Sequence, residues 1–104
     1  MKCPTYNYFF ETISHHLRMM ILCELEKKPM SVSEICDSLN EEQSKVSHNL
    51  KKLAECHIVE VKPKGKKRIY SLNKDTTIPL MDIVKKHVEK YCCDSCKMHK
   101  KVKK

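Results

Sequence analysis

Residues 31–72 constrain the fold more than any other part of the chain. They hold a short apolar-periodic segment, a polar break, a second amphipathic segment and a lysine-rich hairpin, in that order. In SVSEICDSL, Val32, Ile35, Cys36 and Leu39 recur at helical spacing. NEEQSKVSHNLKKLAECHIV then places Val46, Leu50, Leu53 and Ala54 on one face of a second helix. Two short helices separated by a polar break imply a sharp turn.

The second helix carries Gln43, Ser44, Lys45, Ser47, His48 and Asn49 in its first turns, opposite the apolar face. A helix that reads DNA needs this arrangement, because its N-terminal residues must reach base edges in the major groove. A merely solvated helix face has the same composition, so the next segment carries the argument. Ile58-Val59-Glu60-Val61 and Arg68-Ile69-Tyr70-Ser71-Leu72 read as strands around Lys62-Pro63-Lys64-Gly65-Lys66-Lys67. Gly65 is the only glycine in the chain, and it falls where a tight turn most needs positive φ. Lys62, Lys64, Lys66, Lys67 and Arg68 surround that turn, a placement suited to phosphate contact. The expected fold is mainly α with a small β-hairpin wing: a winged helix-turn-helix with four helices, two strands and a last helix.

At 104 residues the chain reads as one domain of modest core, which dimerisation would help to stabilise. Its formal charge is +8, from 21 Lys+Arg against 13 Asp+Glu. A dimer would double that charge and favour a polyanionic partner, double-stranded DNA above all. No run approaches the length of a membrane-spanning helix, and MKCPTYNYFFETI lacks the apolar core of a signal peptide. Seven cysteines, an odd number scattered over helix-like segments, argue against a secreted disulfide framework and for a reducing cytoplasm. No phosphate loop, nucleophile elbow or paired acid–base system is visible, and Cys93-x-x-Cys96 lacks the βαβ context of a redox motif, so an enzyme is not expected.

A first helix is expected over residues 6–13 and a second from residue 14 or 15 to 26, with Leu17, Met20, Ile21 and Leu25 on its apolar stripe. Pro29 ends the second helix, and Ser31 or Ser33 caps the third. After a turn-rich linker at residues 73–77, Ile78, Met81, Val84, Val88 and Tyr91 form the stripe of the last helix. Tyr8, Phe9 and Ile13 on the first helix, with Met81, Val84, Val88 and Tyr91 on the last, offer the apolar faces of a four-helix dimer interface. The DNA-binding and dimerisation domain is assigned to residues 1–96. KMHKKVKK, residues 97–104, reads as a basic, disordered tail.

The last helix leads into Tyr91-Cys92-Cys93-Asp94-Ser95-Cys96-Lys97-Met98-His99. If α-helical geometry continues, Cys92, Cys93, Cys96 and His99 converge on one side. Their thiolates, favoured by Lys90, Lys97 and Lys100, suit a thiophilic ion. A closed Cys3-His zinc site and a trigonal thiolate site for arsenite both fit, and Cys3 is a further candidate ligand. The same thiols could instead form a disulfide under oxidants or persulfides, or hold a structural zinc. Cys23, Cys36 and Cys56 lie on apolar stripes and read as small buried hydrophobes. His48 is the best histidine for DNA contact, whereas His15, His16, His57 and His87 read as surface or cap residues.

From Tyr8 to Leu72 the chain resembles the ArsR/SmtB family of winged-helix repressors. ISHHLRMMILCEL resembles the family's opening helix, with Arg18 on its arginine; MSVSEICDSL resembles the scaffold helix, and EQSKVSHNLKKLAECHIV the recognition helix. Asn49 stands where the family usually has histidine, Glu42 where serine is common, and Cys56-His57 where alanine-glycine precedes the wing. His15-His16 replaces the usual aspartate-proline. The resemblance implies a homodimer built from the first and last helices and a repressor released from operator DNA by a thiophilic metal or metalloid, of the arsenite, Zn or Cd class. The family's scaffold-helix cysteines are Ser31 and Ser33 here, so sensing would fall to the C-terminal cysteines. Asp82, His87 and Glu89 do not keep the pattern of its last-helix oxygen and nitrogen site.

Overall fold

Thr5 opens the first helix by accepting the Tyr8 N–H at its Oγ1, 3.1 Å away. The computed structural model describes residues 5–92, which fall into two units, one running to Asn73 and the other beginning at Lys74. In the first unit, α1 (Tyr6–Ile13) is followed after a short corner by α2 (His16–Lys27). Lys28 is extended at the end of α2, as a residue before proline must be. Ile21, Leu22 and Leu25 are buried. Leu17 and Met20, expected on the buried stripe, are only half-buried, while Leu22 off that stripe is fully enclosed. α2 packs against two further helices and a strand, so its buried arc is wider than one stripe.

The hairpin gains a third strand. β1 (Met30–Ser31) pairs with β3 (Lys67–Leu72), Met30 opposite Tyr70 and Ser31 opposite Ile69. β2 (Val59–Lys64) takes the other side of β3, giving the antiparallel order β1-β3-β2. β1 is too short to carry a periodic signal, and its partner lies far along the chain. Pro63 sits on the edge strand β2, where a missing N–H can face away from the ladder.

Ser31 is also the cap of α3 (Val32–Leu39). Its Oγ accepts the Glu34 N–H at 3.3 Å, and the Glu34 carboxylate accepts the Ser31 N–H at 2.9 Å, a reciprocal capping box. Asn40 closes α3 in the left-handed region at φ 56°, and its N–H reaches the Cys36 carbonyl. α4 (Gln43–Glu55) follows and buries Val46, Leu50 and Leu53 completely. It ends with His57 at φ 61°: the His57 N–H donates to Ala54 O at 3.0 Å, and the Ile58 N–H to Leu53 O at 2.9 Å. These paired bonds satisfy the last carbonyls of α4 in a left-handed turn that usually takes glycine. The core of this unit joins Ile21, Leu22, Leu25, Ile35, Val46, Leu50 and Leu53 with Ile58, Val59, Tyr70 and Leu72 from the sheet and its approach.

The second unit is α5 (Thr77–His87) continuing into a π-helical turn, Val88–Cys92. The π turn corrects the expectation of unbroken α spacing through Tyr91. A wider turn there shifts the angular position of Cys92 from the α-helical one. The rings of His87 and Tyr91 lie 5.0 Å apart, and the Lys90 ammonium sits 5.3 Å from the Tyr91 ring centre. Among the described residues no helix is long and apolar enough to cross a membrane.

Candidate nucleic-acid interface

α4 is two-faced because its sequence is. Val46, Leu50 and Leu53 anchor one side in the core, which leaves Gln43, Ser44, Lys45 and His48 exposed on the other and Ser47 half-buried. Lys45 lies 3.9 Å from the Glu41 carboxylate, an exposed i,i+4 pair. Such a pair is worth only about 0.5 kcal/mol and yields readily to a competing anion.

Asn49 has a different duty from the other polar residues of α4. Its Oδ1 accepts Arg18 Nε at 2.8 Å, and its Nδ2 donates to the Lys45 carbonyl at 2.8 Å. The amide oxygen and one amide N–H are engaged inside the protein, so Asn49 helps to position the helix and keeps one N–H to offer outward. Arg18 also donates through Nη1 to Thr12 O at 2.9 Å, tying α1, α2 and α4 together at one corner. Composition did not reveal this role; the place of Arg18 in the family motif was the only sign of it.

The wing strands are longer than the sequence suggested. β2 extends to Lys64 and β3 begins at Lys67, leaving a two-residue turn of Gly65 and Lys66 where a loop from Lys62 to Lys67 was expected. Positive φ is confined to Gly65, at 65°, the pattern of a type II′ hairpin turn. Its geometry concentrates charge. Lys64 stands directly opposite Lys67, Arg68 lies opposite Pro63, and Lys64, Lys66, Lys67 and Arg68 are all exposed. Like charges facing across a hairpin destabilise it. Among the described residues the close ion pairs are Lys27–Glu24 and Lys45–Glu41, and Glu34 feels the charge of Lys67 at longer range, so the cluster keeps a positive excess. A polyanion would relieve the repulsion that the hairpin otherwise tolerates.

The cysteines divide differently from expectation. Cys23 is exposed, which corrects its reading as a buried hydrophobe; it lies on the face of α2 turned from the core. Cys36 and Cys56 are half-buried. Partial burial and the neighbouring Asp37 carboxylate push the Cys36 thiol up, away from the thiolate form that a metal prefers. Of the proposed metal ligands, Cys92 is half-buried at the end of the π turn. Cys93, Cys96, His99 and Cys3 lie outside the described residues. Among the described residues no group of three histidine, cysteine or carboxylate side chains could hold a metal ion.

Two helices joined by a tight turn, a polar exposed face on the second and a basic hairpin behind it define a winged helix-turn-helix protein. Residues 17–61 match the family model of the bacterial regulatory proteins of the arsR family. The HTH-type transcriptional regulator NmtR of Mycobacterium tuberculosis is 33% identical over 72 residues, which cover 69% of this chain and 60% of NmtR. The chain thus spans less than two thirds of that relative's length. The solution structure of apo-NmtR superposes with a TM-score of 0.70 at 28% identity, covering 82% of this chain and 71% of the other. M. tuberculosis Rv0081 gives a TM-score of 0.77 at 27% identity over 85% and 89% of the two chains. The transcriptional repressor BigR from Xylella fastidiosa gives 0.67 at 27% identity over 82% and 84%. Over residues 17–61 the chain is thus similar to the arsR-family regulators, and its fold is theirs.

Proposed function

We propose that the protein is a homodimeric transcriptional repressor that binds double-stranded operator DNA and loses affinity for it when a thiophilic ion is taken up. The observation that carries the DNA reading is the joint display of the polar half of α4 and the exposed, closely spaced cations of the wing on one unit. Gln43, Ser44, Ser47 and His48 are assigned to base edges and nearby phosphates. Lys45, Lys64, Lys66, Lys67 and Arg68 are assigned to phosphates, where they supply affinity without sequence information. The relatives NmtR, an HTH-type transcriptional regulator, and BigR, a transcriptional repressor, support the regulatory reading.

Dimerisation is assigned to the first and last helices. Tyr6 and Phe10 on α1 are 87% and 57% exposed, and Ile83 on α5 is 64% exposed, large apolar side chains for a second copy to cover. A two-fold dimer would present two copies of α4 to half-sites about one helical turn apart.

The sensing site is assigned to Cys92, Cys93, Cys96 and His99, with Cys3 as a further ligand. The donor chemistry fits an ion of the arsenite, Zn or Cd class, because thiolates are soft ligands. These side chains would bind the ion at the end of the helix assigned to the dimer, where a change in packing alters the pose of both recognition helices. Such coupling is typically about 1 to 3 kcal/mol, or roughly 5- to 150-fold in affinity. A gel-shift titration with Zn(II), Cd(II) and arsenite is the test. Release by any of the three supports the reading; unchanged affinity with all three sinks the sensing claim and leaves DNA binding to stand on its own.

A further inference from the structure

A recess of about 170 Å³ opens where α1, α2 and α4 meet, outside the polar face and wing described above. Arg18 and Lys52 bring positive charge to its wall, with His15, Tyr8, Thr12 and Glu11 around them. The Arg18 guanidinium is half-buried and spends Nε on Asn49 and Nη1 on Thr12 O. Both of those acceptors are neutral. Among the described residues neither Arg18 nor Lys52 has a carboxylate within ion-pairing distance, although Glu11 shares the same wall. A partly desolvated guanidinium that lacks an anion is an incomplete arrangement, and its planar fork suits a phosphate oxygen.

We propose that this recess receives a backbone phosphate of the bound DNA, an anchor separate from the recognition helix and the wing. The proposal rests on the DNA reading above. Charge supports the ligand: the two cations Arg18 and Lys52 outnumber the one carboxylate of the wall, Glu11, which suits an anionic phosphodiester. Position supports it as well. Lys45, Asn49 and Lys52 recur at i, i+4 and i+7 along one flank of α4, so Lys52 lies only about 10 Å along the helix from Lys45. A DNA strand that passes Lys45 at the groove edge reaches the recess within a few nucleotides. Asn49, bonded to both Arg18 and the Lys45 carbonyl, ties the recess to the turn of α4 that faces the groove.

The experiment measures duplex affinity against salt concentration for the full chain and for Lys52→Ala, Lys51→Ala and Lys66→Ala, with the Arg18 Nε–H resonance followed during titration. Lys52→Ala is expected to weaken all sequences alike and to lower the salt slope by about one, while Lys51→Ala, outside the recess, changes it far less. DNA should shift the Arg18 Nε–H signal in the wild type and not in Lys52→Ala. If Lys52→Ala keeps the wild-type slope while Lys66→Ala lowers it, the recess assignment falls and the wing reading stands. If neither variant changes the slope, both fail. Equal losses in Lys51→Ala and Lys52→Ala overturn the recess in favour of diffuse charge. An Arg18 shift produced by inorganic phosphate, with an unchanged Lys52→Ala slope, overturns the DNA source in favour of a free anion.

Discussion

Arg18 Nε donates to Asn49 Oδ1 at 2.8 Å, fastening the first turn of α2 to the middle of α4. Because Asn49 also holds the Lys45 carbonyl, the bond helps set where the polar face of α4 points. Asn49→Ala leaves a half-buried guanidinium short of an acceptor and should cost about 1 to 2 kcal/mol, below the full value of a charge-assisted bond because the site is only partly buried. Urea denaturation checks the magnitude. DNA sequence preference should stay the same in Asn49→Ala and change in Gln43→Ala; altered preference in Asn49→Ala would return that residue to the reading face.

His57 holds a left-handed backbone that side chains with a Cβ adopt at a cost. Its N–H and that of Ile58 close α4 whatever the side chain is. His57→Gly should therefore stabilise the protein by about 1 kcal/mol, raising the melting temperature by about 4 to 8 °C for a chain of this size. Gly65→Ala is the converse case. No atom lies within 4 Å of the added Cβ, so the expected loss of about 1 kcal/mol comes from positive φ alone.

The capping box of α3 should dominate its local stability. Ser31→Ala removes the acceptor for the Glu34 N–H and should cost about 1 kcal/mol by thermal denaturation. The box also has a pH signature. The Ser31 N–H beside it holds the Glu34 carboxyl below its ordinary value of 4.5, and the Ser38 hydroxyl, at 2.6 Å, does the same for Glu24. Both pKa values are depressed on folding, so their contribution is full above the unfolded value and disappears as pH falls through the folded ones. Glu24→Gln and Glu34→Gln should each flatten the loss of stability on acidification below about pH 4.5; a denaturation series with unchanged pH dependence would refute the linkage.

The wing and α4 should separate affinity from specificity. Lys66→Ala or Lys67→Ala should weaken every duplex alike and lower the salt slope by about one. Lys64→Ala should also stabilise the free protein slightly, since it relieves the cross-strand repulsion with Lys67 and leaves the attraction between Lys67 and Glu34 intact. Opposite signs for stability and DNA affinity in Lys64→Ala would mark the repulsion as functional. Loss of both would show that the lysine serves the fold.

The helix-turn-helix and its hairpin are legible in the sequence because their signals are local. Val46, Leu50 and Leu53 repeat at helical spacing, and all three are fully buried. Ser31 precedes Glu34 by three residues, the spacing of a capping box, and the lone glycine falls at the one hairpin turn of the described residues. The candidate site was less legible. Asn49 looked like another polar residue on α4, and nothing nearby in the sequence announced Arg18, 31 residues away, as its partner.

The sequence by itself determined the order of elements, the buried side of α4 and the charge of the wing, since periodicity, turn chemistry and net charge depend on neighbours along the chain. Tertiary structure decided the rest: the pairing of Met30 and Ser31 with β3, the enclosure of Leu22, the exposure of Cys23, and the inward use of Asn49. Each depends on which distant segment lies opposite, and packing of α2 against α3, α4 and the sheet supplies that information.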